Sequence, residues 1–134
     1  MLKKTIEYED YNGEKRTEDF YFNLSKAELT QLRLSRNGGI EVMLKRIVDE
    51  KNAPEIIAIV KEIILLAYGE KSDDGKYFMK SEEISHRFEC TEAFDELFME
   101  ICSSPEAASD FFNALLPADL RKAIAEQEAA NAKN

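Results

Sequence analysis

Between residues 2 and 24 apolar and polar side chains alternate with a period of two. Leu2, Ile6 and Tyr8 alternate with Lys3, Thr5, Glu7 and Glu9, and Phe20, Phe22 and Leu24 alternate with Asp19, Tyr21 and Asn23. The pattern predicts two antiparallel strands. Asn12-Gly13 invites a two-residue turn, but that register would send Ile6 and Phe20 to opposite faces of the ribbon. A three-residue loop, Tyr11-Asn12-Gly13 with Gly13 left-handed as a G1 bulge, brings both apolar sets to one face. A hairpin alone is marginal, so this face must lie on helices.

From Ser25 the period becomes helical. Ser25 and Glu28 form a capping box, and Leu24 and Leu29 stand where a hydrophobic staple would. This first helix runs to about Leu34, where Asn37-Gly38-Gly39 breaks the pattern. A second is expected near 40–51, with Ile40, Met43, Leu44 and Ile47 at helical spacing. Asn52 caps a third, with Pro54 in its first turn and Gly69 as its stop. Its apolar residues, from Ile56 to Leu66, cover most of the circumference, which marks a central helix. A turn is expected at Ser72-Asp73-Asp74-Gly75 and a short extended piece at Tyr77-Phe78-Met79. Ser81, Thr91 and Ser104 are N-caps for helices over 82–88, 92–102 and 105–115, with Pro105 opening the last.

The expected fold is α+β and mostly α: an N-terminal two-stranded β-hairpin packed on a bundle of about five or six helices. One domain is expected over residues 1–117, followed by a polar helix over 118–134 that frays into a disordered end. A chain of 134 residues suits one core. With 44% hydrophobic and 34% charged residues, it is globular in composition. The net charge of −9 repels phosphate backbones, and no Lys/Arg cluster offsets it, which argues against nucleic-acid binding. Cys90 and Cys102 are too few for a disulfide framework and suit a reducing compartment. The most apolar run, Ala53 to Tyr68, carries Glu55, Lys61 and Glu62 and is shorter than the ~20 residues that span a bilayer. No signal peptide and no membrane segment are expected.

Candidate chemistry is sparse. His86, the single histidine, forms an i, i+4, i+8 ladder with Glu82 and Cys90. Structural zinc needs four ligands, drawn as a rule from more than one element, and Thr91 interrupts the helix that would hold the ladder straight. Neither cysteine has an evident base with an orienting partner, and Cys102 lies on an apolar stripe with Phe98 and Ile101. Asn37-Gly38-Gly39 lacks the Lys and Ser/Thr of a phosphate loop. No catalytic, cofactor or metal site is therefore expected.

The aromatic residues carry more. Phe88, Phe94, Phe98, Phe111 and Phe112, with Leu97, Leu115 and Leu116, crowd the last third of the chain. Most belong to a core. The remainder are expected to line a groove for a partner helix seated through i, i+3 and i+4 anchors. Phe94, Phe98, Phe111 and Leu115 are the candidate partner contacts.

Three stretches together resemble the tail assembly chaperones of long-tailed phages and prophages. They are DYNGEKRTEDFYFNLSKAEL (Asp10 to Leu29), APEIIAIVKEIILLAYGEKSDDGKYF (Ala53 to Phe78) and FDELFMEICSSPEAASDFFNALLP (Phe94 to Pro117). The resemblance implies a non-enzymatic protein of the host bacterial cytoplasm, without cofactors and absent from the mature virion. It implies binding to hydrophobic, helical segments of the tape measure protein and recruitment of tail tube subunits, and it is compatible with self-association. A strongly negative, soluble carrier with an apolar groove can coat such helices and keep the complexes apart. The alternative reading is an acidic inhibitor that mimics nucleic acid, whose association would weaken steeply with salt.

Overall fold

The computed structural model describes residues 1–35 and 53–116. The expected helix near 40–51, its Asn37-Gly38-Gly39 breaker, the Asn52 cap and the expected tail helix over 118–134 lie outside the described residues.

The sequence-based expectation of a two-stranded hairpin is corrected by the structure. β1 (Leu2–Glu9) and β2 (Lys15–Phe22) are the first half of a four-stranded antiparallel sheet completed by β3 (Tyr68–Lys71) and β4 (Phe78–Met79). The strand order is β1-β2-β3-β4. Residues 23–67 separate β2 from β3, yet Tyr21 pairs with Gly69 and Phe22 with Tyr68. The extended piece expected at Tyr77-Phe78-Met79 is β4, but strands of four and two residues are too short to display alternation, so neither β3 nor the sheet they complete was expected. Their pairing follows from where the preceding helix delivers the chain.

The hairpin itself has the three-residue loop. Asp10 and Glu14 are joined by an amide-to-carbonyl bond of 2.8 Å, and Gly13 donates its amide to the Asp10 carbonyl at 2.9 Å. Gly13 takes φ +82°, a conformation that favours glycine. Even-numbered residues consequently pair with even, Leu2 with Phe22 and Ile6 with Glu18. Ile6 and Phe22 are buried on one face, while Thr5, Glu7 and Asp19 stay exposed on the other.

Five helices occupy the described residues: α1 (Lys26–Ser35), α2 (Ala53–Ala67), α3 (Glu82–Glu89), α4 (Glu92–Ile101) and α5 (Pro105–Leu115). Each anticipated hydroxyl cap from Ser25 onward is formed. Ser25 Oγ accepts from the Glu28 amide at 3.1 Å, and Glu28 Oε1 accepts from the Ser25 amide at 3.0 Å. Ser81, Thr91 and Ser104 accept from the amides of Ile84, Phe94 and Ala107. Glu28 also holds Lys80 at 2.6 Å, and Lys80 donates to the Asn23 carbonyl. That ion pair ties the start of α1 to the residue after β4.

Gly69 does not stop α2 as a left-handed cap. The helix ends at Ala67 and passes directly into β3. A Cβ on Gly69 would lie 2.7 Å from the Phe78 ring and 2.8 Å from the Met79 carbonyl oxygen. Its glycine permits the close approach of β4.

The core is one continuous cluster joining sheet and helices. Phe22 is its centre, meeting Tyr68, Phe88 and Phe111 edge-on at centroid distances of 5.6, 5.7 and 5.5 Å. Phe88 stacks on Tyr68 at 4.0 Å. From α2, Ile59, Val60, Ile63 and Ile64 are buried, and the helix packs on α3, α4 and α5.

Candidate functional site

The four aromatic and aliphatic candidates separate by depth. Phe94 and Phe111 are each 6% exposed and Leu115 is fully buried. Phe98 is half-buried and stacks on Phe94 with 5.8 Å between centroids. The helical phase explains this. On α4, Ala93, Phe94, Leu97 and Ile101 form the buried stripe, and Phe98 sits at its margin.

Phe111 nevertheless reaches the surface through a furrow. Leu2 and Lys4 of β1, Glu100 and Ile101 at the end of α4, and Ala107, Asp110, Phe111 and Ala114 of α5 enclose about 340 Å³. Ala107, Phe111 and Ala114 stand at i, i+4 and i+7, so one face of α5 supplies a small-large-small floor. Ile101 and Leu2 supply apolar walls. Lys4 crosses the mouth to Glu100, with Nζ 3.1 Å from Oε1. A floor with two alanines lets another backbone approach closely, and the ring between them offers a flat apolar contact.

The helical side of this furrow, formed by α4 and α5, carries one sign of charge, whereas the β1 side contributes Lys4. From Phe88 to Leu116 the chain has no Lys, Arg or His. On α4 and α5 the charged residues are Glu92, Asp95, Glu96, Glu100, Glu106 and Asp110, and all but Glu92 are exposed.

A second hollow of about 340 Å³ lies at the hairpin tip and is bounded by Tyr8, Asp10, Tyr11, Arg16, Cys90 and Glu92, among others. Its polar groups are occupied with one another. Arg16 Nε lies 2.6 Å from Asp10 Oδ2, and that bond, with amides donated by Glu14 and Asn12, holds the Asp10 carboxyl below its ordinary pKa. The Tyr8 hydroxyl donates to Glu18, and this bond, aided by burial, pushes the phenol up to about 12. Tyr11 donates to the Cys90 carbonyl at 3.2 Å. The hollow is a braced joint between the hairpin and the start of α4.

His86 lies beside Cys90, with Nε2 3.7 Å from Sγ, while Nδ1 lies 3.4 Å from Glu89 Oε1. The two neighbours face opposite ring nitrogens, so they do not converge on one point where an ion could sit. No group of three metal-ligating side chains comes together among the described residues. The His86 side chain is 74% exposed and is not a wall of either hollow. Cys102 is remote from this pair in sequence, and burial pushes its thiol up, away from the reactive thiolate. No described helix is long and apolar enough to cross a membrane.

Of the four candidate contacts only Phe111 lines the furrow; Leu2, Lys4, Ala107, Asp110 and Ala114, which line it with Phe111, were not among them. The i, i+4, i+7 spacing on α5 was a legible signal. The approach of β1 to that helix was not, because nearly the whole chain separates them.

Neither the curated proteins nor the solved structures compared with this chain include a match. A family model described as phage tail assembly chaperone matches residues 1–134, the full length. With that match over its whole length, the chain belongs to the phage tail assembly chaperone family.

Proposed function

We propose that this chaperone binds hydrophobic, helical segments of the phage tape measure protein during tail morphogenesis, acting by contact alone. The observation that carries the reading is the open apolar furrow between β1, α4 and α5 on a protein of this family. Phe111 forms its floor, Phe98 offers a half-exposed ring on α4, and Phe94 and Leu115 brace these two from inside. A long, amphipathic partner made before the tail forms would expose apolar stripes that self-associate. Covering those stripes with a carrier of net charge −9 keeps the complexes apart. On this reading the chaperone works in the host cytoplasm, passes its client to tail tube subunits, makes no covalent bond and leaves before the virion is complete.

The test is co-purification from cells that express the full chain with the tape measure protein of the same phage. Ala114→Gln places a long, neutral, helix-compatible side chain across the furrow floor. Capture of the tape measure protein should fall about tenfold or more, with the melting temperature within about 2 °C of the parent. Undiminished capture by a folded Ala114→Gln protein would show that the furrow is not the contact.

A further inference from the structure

We infer that the furrow is built for a basic amphipathic helix of a partner protein, whose apolar stripe seats on Ile101 and Phe111 while its Lys or Arg residues meet the carboxylates of α4 and α5. The inference rests on the binding reading above and adds the chemical character of the occupant.

Three observations carry it. First, the two carboxylates that line the furrow, Glu100 and Asp110, belong to helices that carry no cation from Phe88 to Leu116. A one-sign surface beside an apolar furrow selects against partners of the same sign and speeds encounter with the opposite one. Second, the single cation in the furrow wall is Lys4, and it is already committed to Glu100 at 3.1 Å. Asp110 projects from the floor helix, one position before Phe111, with no ion pair among the described residues. A basic side chain one turn from an apolar anchor would find it. Third, the chain neighbours of two wall residues are exposed methionines, Met1 at 58% and Met99 at 68%. Methionine adapts to irregular apolar surfaces and is common where a helix must be gripped without one fixed geometry.

The same observations decide against other occupants. A second copy would set this acidic face against another, with net charge −9 on each chain. Nucleic acid and anionic lipid surfaces are repelled for the same reason.

The experiment uses the full chain and two fluorescent synthetic helices with an identical Leu-rich stripe, one with Lys and Arg on its polar face and the other with Glu. At low salt the basic helix should bind at least about tenfold more tightly than the acidic one, and high salt should remove most of that difference while leaving residual apolar binding. Asp110→Lys alters an exposed position that has no ion pair among the described residues, and it should leave the fold intact. It should weaken the basic helix and strengthen the acidic one. Equal affinity for both helices, indifferent to Asp110→Lys but lost in Ala114→Gln, would overturn the charge inference and leave furrow binding standing. Binding of neither helix, with tape measure capture still sensitive to Ala114→Gln, would also overturn it. A dimer in sedimentation that dissociates as the basic helix binds would assign the furrow to a second copy instead.

Discussion

At the centre of the molecule Phe22 is enclosed by Tyr68, Phe88 and Phe111, whereas Phe111, one ring further out, turns part of its surface to an open furrow. The two rings lie 5.5 Å apart between centroids. Residue type therefore does not separate the part that holds the fold from the part that opens onto the furrow. What separates them is which neighbours complete the shell. Around Phe22 the shell is closed by a strand, by Tyr68 just after α2, and by α3 and α5. Around Phe111 it is closed on one side by Ile101 and left open beside Ala107 and Ala114, where a larger side chain would have sealed it.

The largest effect should come from opening the closed shell. Phe22→Ala removes a fully buried ring from three edge-on contacts and should cost about 3–5 kcal/mol, a large share of a small domain's stability. Phe98→Ala removes a half-buried ring at the margin of α4 and should cost well under half of that. Urea denaturation of both variants measures the contrast. Equal losses would mean that Phe98 belongs to the interior and that the boundary between core and contact surface has been drawn in the wrong place.

A third substitution probes the far edge of the sheet. Gly69→Ala would push a Cβ to within 2.7 Å of the Phe78 ring and 2.8 Å of the Met79 carbonyl oxygen. The ring can turn, but the backbone oxygen belongs to the paired strand, so a loss of about 1–3 kcal/mol is expected from displacement of β4. The furrow lies on the opposite side of the strand order, at β1. The affinity of the folded protein for a helical ligand should therefore stay unchanged. A parallel fall in stability and affinity would reveal that the sheet transmits its strain across four strands.

Gly69 also marks how far the sequence could be read. Ser25, Ser81, Thr91 and Ser104 named the starts of four helices because a hydroxyl cap is a local device, complete within four residues. The loop at Gly13 was equally legible, since parity of the two apolar sets admits one bulged register. β3 and β4 were not legible as a continuation of the sheet. Tyr68 to Lys71 follows a helix without a break, and Gly69 carries the local signature of a helix stop. Only its encounter with Phe78 and Met79 shows that it serves a strand pair. The furrow was half legible. The aromatic crowding and the α5 face were visible in the sequence, but the wall supplied by Leu2 and Lys4 depends on the fold bringing β1 beside α4 and α5.

The smallest effect on stability, and the most direct on the furrow, is expected at Lys4. Its ammonium pairs with Glu100, whose side chain is 59% exposed. Exposed pairs of this kind contribute about 0–1 kcal/mol, because water screens the attraction and two long side chains must be held in one geometry. Lys4→Met keeps the apolar stem against the wall and removes only the charge. Thermal unfolding should therefore move by no more than a few degrees. Binding should respond more. Without Lys4, Glu100 is free to meet a cation of the incoming helix, and no positive charge remains in the wall to oppose it. The basic synthetic helix should then bind about threefold more tightly at low salt, while the acidic helix weakens. Weakened binding of the basic helix with stability unchanged would instead make Lys4 a partner contact, one that pairs with a carboxylate on the client. The furrow would then read its client through a cation on β1 and not through the carboxylates of α4 and α5.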